Sequence, residues 1–169
     1  MKLKTLLFAL ICGIAITGLF SCEKAKDLIP GGTLSLQMSD STYTSNKNLV
    51  SGTLLDTLGG YMLVVSGGGQ GQQTWLTTVN VFFPEKKLQT GTYSSTVNPM
   101  NAIGYVTLPD MTNYSSYNNE ASVGNSTIVI SKISNTHVEG TFNGLLLNDM
   151  DPDLTISVEG GKFDLSITP

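Results

Sequence analysis

The sequence predicts an all-β protein: a single domain built as an antiparallel β-sandwich or flattened barrel, following an N-terminal signal peptide. Three observations predict it. The body is rich in Thr, Ser, Val, Ile, Tyr and Gly, which suit pleated, half-buried strands and the turns between them. Its apolar residues fall in short or alternating runs, with no long stretch at helical period. The runs break at 58–60, 66–72, 84–87, 98–101, 109–113, 118–125, 134–135, 148–153 and 160–161, often at the ~8–12-residue spacing of a sandwich or barrel. No helical segment alternates with them to make parallel crossovers, so antiparallel sheets are expected.

The chain opens on an export signal. Lys2 and Lys4 precede an uncharged, mostly apolar run of 16 residues, Thr5–Phe20. Crossing ~30 Å of hydrocarbon takes ~20 such residues. The apolar region of a signal peptide takes only ~7–15, behind a basic start. Length and flanks favour export over a membrane span. Ordinary signal peptidase requires small residues at −3 and −1, and Leu19 at −3 suits it poorly. Leu19-Phe20-Ser21-Cys22 instead resembles the lipobox of bacterial lipoproteins, with a branched aliphatic residue at −3, a small one at −1 and Cys at +1. Phe20 at −2 is bulkier than that pattern usually carries.

The resemblance implies a diacylglycerol thioether on Cys22, cleavage before Cys22 and acylation of the new amine. A cysteine is needed because its thiolate is the attacking nucleophile. At about 0.8 kcal/mol per buried CH₂, one chain holds marginally and two or more hold stably. Cys22 is therefore the expected lipid attachment site and the membrane an expected partner. The cell envelope is the expected location, with the outer membrane favoured and its face unassigned. The only other cysteine, Cys12, lies within the apolar run. A Cys12–Cys22 disulfide would tie a signal peptide to itself.

Three segments follow: a signal peptide at 1–21, a lipidated cysteine and tether at 22–32, and an all-β domain at 33–169. The tether, Glu23–Gly32, starts charged and ends at Pro30-Gly31-Gly32. Fully extended, its ten residues reach ~33–36 Å. The 148 residues from Cys22 onward suit one domain. Seven of the nine basic residues remain there against thirteen acids, a formal charge of −6, and all of them are Lys. Arg is the usual reader of phosphate and guanine, so an acidic chain without it is a poor nucleic-acid binder.

Among the strands, Trp75, Thr77, Val79, Val81 and Phe83 alternate onto one face. Trp75 is expected in the core or at its rim. Pro84–Lys87 would then be the four-residue connection of a hairpin to a following strand, Leu88–Tyr93. Residues 126–133 and 136–147 read as a hairpin turning at Ser134-Asn135. Its pattern leaves both faces partly apolar, with Ile128 and Ile130 opposite Val138 and Phe142, so either the sheet is covered on both sides or the register differs. At the C-terminus Gly160-Gly161 reads as a two-residue turn. Val158 would then meet Phe163, Ile156 would meet Leu165 and Leu154 would meet Ile167, apolar on apolar throughout.

The run Val138-Glu139-Gly140-Thr141-Phe142-Asn143-Gly144 and the later Gly161-Lys162-Phe163 are similar to the end of a group of small, uncharacterised Bacteroidetes lipoproteins. The resemblance covers about the last third of the chain. It implies a β-rich exported domain and brings no activity with it.

Catalytic and cofactor motifs are sparse. His137 is the one histidine. It lacks a Cys partner for zinc and no G-x-S-x-G elbow accompanies it, so it is expected as a solvent-facing strand residue. Ser66–Gln73 is Gly-rich but lacks the Lys-Ser/Thr of a phosphate loop and reads as a hairpin tip. Asp149, Asp151 and Asp153 alternate in a connection and are weak calcium candidates by ligand type. Leu154 and Gly160 stand where an EF-hand needs Gly and Glu. Tyr114 and Tyr117 sit beside Asn118, an adaptable surface that suits sugars, unless the tyrosines pack locally. No cofactor and no catalytic residue is expected. The favoured function is a non-catalytic, membrane-anchored binding module for a glycan or an envelope protein. An assembly accessory of the envelope is the alternative, and a hydrolase with a dispersed site is third.

Overall fold

A computed structural model describes residues 31–69, 74–108, 110–117 and 124–168. The signal peptide, Cys22 and nearly all of the tether lie outside the described residues. Eleven strands make up the fold: β1 (Gly32–Met38), β2 (Ser41–Thr44), β3 (Ser51–Thr57), β4 (Gly60–Gly69), β5 (Thr74–Pro84), β6 (Gly91–Ser94), β7 (Ala102–Leu108), β8 (Thr112–Ser115), β9 (Asn125–Ile133), β10 (His137–Asn148) and β11 (Thr155–Ser166). Among the described residues there is no α-helix, and every pairing between named strands is antiparallel.

All eleven strands belong to one sheet, ordered β2-β1-β11-β10-β8-β7-β5-β4-β3, with β9 on β10 and β6 on β9. The sheet folds over on itself and does not close into a barrel. β10 is the corner. Val138–Leu145 pair with β9, whereas Leu147 and Asn148 pair with Ser115 and Tyr114 of β8. One layer is therefore β6-β9-β10-β11-β1-β2 and the other β8-β7-β5-β4-β3. At the open side Leu54 and Thr168 close part of the gap, the Leu54 amide donating to the Thr168 carbonyl at 2.8 Å.

The core lies between the layers. Trp75, Thr77, Val79, Val81 and Phe83 are all buried, as their alternation predicts. Trp75, Val79, Val81 and Phe83 join Leu34, Leu36, Val138, Phe142, Phe163 and Leu165 of the other layer in one apolar cluster. The outward faces differ sharply. Lys132, Glu139, Lys162 and Asp164 sit on β9–β11, whereas the outward positions of β4, β5 and β7 carry no charged residue.

Three expectations need correction, and one open alternative is resolved. Gly160-Gly161 is not a hairpin tip. β11 runs straight through it, paired with β1 on one side and β10 on the other. Opposite β10, two residues (Glu159 and Gly160) face one (Asn143) between the pairs Phe142↔Gly161 and Gly144↔Val158. This is a β-bulge, with Gly160 at φ +55° taking the left-handed position that glycine fills without strain. A bulge inverts which parity points inward, so Val158 and Phe163 both face the core, as they also would across a two-residue turn. The apolar pattern is identical for the two structures.

The β9–β10 hairpin does turn after Ile133, where the Ser134 amide donates to the His137 carbonyl at 2.9 Å. Its register differs from the simple one. Ser131 is an extra residue between the pairs Glu139↔Lys132 and Gly140↔Ile130. The shift brings Ile128 and Ile130 to the core side with Phe142, which removes the two-faced pattern. After Pro84 the chain does not fold back on β5, because β6 pairs with β9 in the other layer. Finally, Gly67–Gly69 are strand residues opposite Thr77, Leu76 and Trp75, and residues 70–73 lie outside the described residues.

Candidate functional site

Of the expected binding residues, Tyr114 ends an aromatic row. Tyr43 of β2 meets Trp75 of β5 edge-on, centroids 5.8 Å apart. Trp75 stacks on Tyr105 of β7 at 6.4 Å and 23°. Tyr105 lies 6.5 Å from Tyr114 of β8, its direct cross-strand partner. Opposite Trp75 stands Gly69, where a Cβ would come within 2.6 Å of the indole Nε1. A bare glycine strand thus makes room for the largest side chain of the sheet.

Trp75 and Tyr105 are buried at 5% and 4% exposure, so the middle of the row belongs to the core. Burial, with the neighbouring Tyr43 and Tyr114 hydroxyls adding to it, pushes the Tyr105 phenol up to about 12. Tyr43 and Tyr114 are half-buried at the ends of the row, and they carry whatever contact it offers. Tyr117 is half-buried and follows β8, with its amide donating to Ser115 Oγ at 3.0 Å. Asn118 lies outside the described residues.

Asp149, Asp151 and Asp153 do not converge. The Asp151 carboxylate accepts from the Asp153 amide at 3.2 Å, while Asn148 Oδ1 accepts from the Met150 and Asp151 amides at 2.8 and 3.0 Å. These bonds shape the β10–β11 connection as a local turn of the Asx type. Asp151 thus serves turn chemistry, and the three aspartates are not among the described groups whose ligand atoms come together.

His137 starts β10 on its outward face, and it has partners there. It is half-buried and not alone. Its Nε2 lies 3.2 Å from Glu139 Oε1 and 3.5 Å from Asp164 Oδ1. Lys132 Nζ donates to the same Glu139 oxygen at 2.9 Å. The two hydrogen bonds from Lys132 and His137 hold the Glu139 carboxyl below its usual range, and Glu139 holds the Lys132 ammonium above its own. The cluster is built by register. His137 and Glu139, two apart on β10, share a face, and Glu139 is the direct partner of both Lys132 and Asp164. Among the described residues, His137, Glu139 and Asp164 are the one group of three whose ligand atoms come within 4.8 Å of one another. Sequence reasoning missed it because the misread turn at 160–161 placed Asp164 beside Ser157, not Glu139.

An open depression of ≈ 390 Å³ lies beside the β10–β11 bulge, lined by residues that include Asn125, Asn143, Leu145, Ser157 and Glu159. It touches neither the aromatic row nor the His137 cluster. Comparison of the chain with known protein families, curated proteins and solved structures finds no match.

Proposed function

We propose that this protein is a lipid-anchored envelope lipoprotein whose β domain serves as a non-catalytic binding module for a glycan or protein ligand. The observation that carries the reading is Leu19-Phe20-Ser21-Cys22, placed behind a basic start and a 16-residue uncharged run. The ten-residue tether from Glu23 leads directly into β1, the second-outermost strand of its layer. The binding role is supported by Tyr43 and Tyr114, two half-buried tyrosines braced from behind by the buried Trp75 and Tyr105. Rings fixed this way lose little entropy on contact and offer both a flat face and a hydroxyl.

The test is a glycan array and an envelope-extract pull-down with residues 23–169. The reading expects a ligand whose affinity falls about tenfold or more in Tyr114→Ala or Tyr43→Ala. This corresponds to ~1.4 kcal/mol, within the range of an aromatic contact residue. A ligand indifferent to both substitutions would move the binding site away from the row.

A further inference from the structure

We propose that His137, Glu139 and Asp164 form a surface site for a divalent cation of the zinc class. The donor set is one imidazole nitrogen and two carboxylates, which zinc accepts together with water, and two carboxylates balance the ion's charge. The spacing fits as well. Zn–N and Zn–O bonds of ~2.0–2.2 Å in a tetrahedron set neighbouring ligand atoms ~3.3–3.5 Å apart. Nε2 stands 3.2 Å from Glu139 Oε1 and 3.5 Å from Asp164 Oδ1. Two edges therefore match a tetrahedral face, and all three ligand atoms lie within 4.8 Å of one another. All three side chains leave the outward face of two mutually paired strands, and all remain partly exposed, at 40%, 28% and 62% of their side-chain areas. The fourth position points to water.

The backbone keeps the set in place. Glu139↔Asp164 is a direct pair within a register of ten pairs along β10–β11, so the two residues stay side by side unless the sheet slips, and side-chain rotation alone brings their carboxylates to the ion. Lys132 is the competitor. Its ammonium neutralises Glu139 at 2.9 Å, and its side chain is 70% exposed, so it can swing to water when an ion arrives. Magnesium prefers an all-oxygen, largely hydrated octahedron, which one imidazole and two carboxylates on an open strand face do not supply.

Because His137 is the single histidine in the chain, its ring signals in a ¹H–¹³C NMR spectrum need no assignment, provided the protein carries no histidine tag. Titrating ZnCl₂ at neutral pH should shift those signals saturably at one equivalent, while MgCl₂ at the same concentration leaves them in place. Asp164→Asn and Glu139→Gln should each weaken zinc binding at least tenfold, and Lys132→Ala should tighten it severalfold. These are exposed, near-isosteric or truncating changes that leave the core untouched. Absence of a zinc-induced shift overturns the proposal. So does binding that both carboxamide variants retain in full, which would mark a lone-imidazole contact. Unchanged or weaker binding in Lys132→Ala would contradict the displacement of Lys132 by the ion.

Discussion

Phe142 and Phe163 stand over glycines. Phe142 pairs across the strands with Gly161, and Phe163 pairs with Gly140. A Cβ on Gly161 would meet the Phe142 ring at 2.6 Å, and one on Gly140 would meet the Phe163 ring at 2.5 Å. The two rings stack on each other at 6.2 Å and 26°. This reciprocal cover gives the run Gly140-Thr141-Phe142 and the pair Gly161, Phe163 a packing reason: an aromatic ring occupies the space that each missing side chain leaves. Gly161→Ala and Gly140→Ala should each destabilise by about 1–3 kcal/mol, the usual cost of overpacking, and Phe142→Ala by about 3–5 kcal/mol. Urea denaturation measures all three. At the same scale, burial raises the Tyr105 phenol to about 12. Between pH 10 and 12 the unfolded chain then releases this proton while the folded one keeps it. Stability should fall through that window by up to about 2–3 kcal/mol from this group. Tyr105→Phe should flatten the alkaline arm of the stability profile, and an unaltered arm would mean that the hydroxyl is not sequestered.

Among the elements, β11 decides most. It is the central strand of its layer, held by β1 through Gly32↔Leu165 to Met38↔Val158 and by β10 on the other edge. Consecutive amides from Lys162 to Leu165 should therefore all exchange slowly, alternating between donation to β1 and to β10. A terminal hairpin arm would show every second amide exchanging fast, so native-state hydrogen exchange separates the two structures. The individual strands were legible because apolar alternation reports which face a residue takes. The Trp75–Phe83 strand was read correctly for this reason. Pairing partners were not legible at Gly160-Gly161 and Ser131, because a bulge inverts parity as a turn does, and parity is all that a single sequence displays. The His137 cluster was invisible for the same reason: it exists only when β11 lies beside β10 in this register. The aspartates at 149, 151 and 153 read two ways in the sequence, since turn residues and metal ligands share a chemistry.

At the level of the whole molecule, the distribution of charge defines a polarity. The outward face of β9–β11 carries the ionic cluster, whereas the outward positions of β4, β5 and β7 are uncharged. The chain enters the sandwich at Gly32, one residue before the domain start placed from sequence, and Gly32 packs against Leu165 with no room for a Cβ. The chain thus joins the sandwich on the layer that bears the charged face. Fold class was legible from composition and turn spacing, which are global properties. The choice between sandwich and barrel was not, because it depends on how β10 divides its edge between β8 and β9. The functional account rests on Cys22, and membrane fractionation with intact-mass analysis of wild type and Cys22→Ser in a bacterium with lipoprotein processing tests it most directly. The wild type should partition with membranes, extractable by detergent, as a chain beginning at Cys22 with added acyl mass, while Cys22→Ser is released or accumulates uncleaved. Unchanged membrane retention and processing in Cys22→Ser would contradict the account.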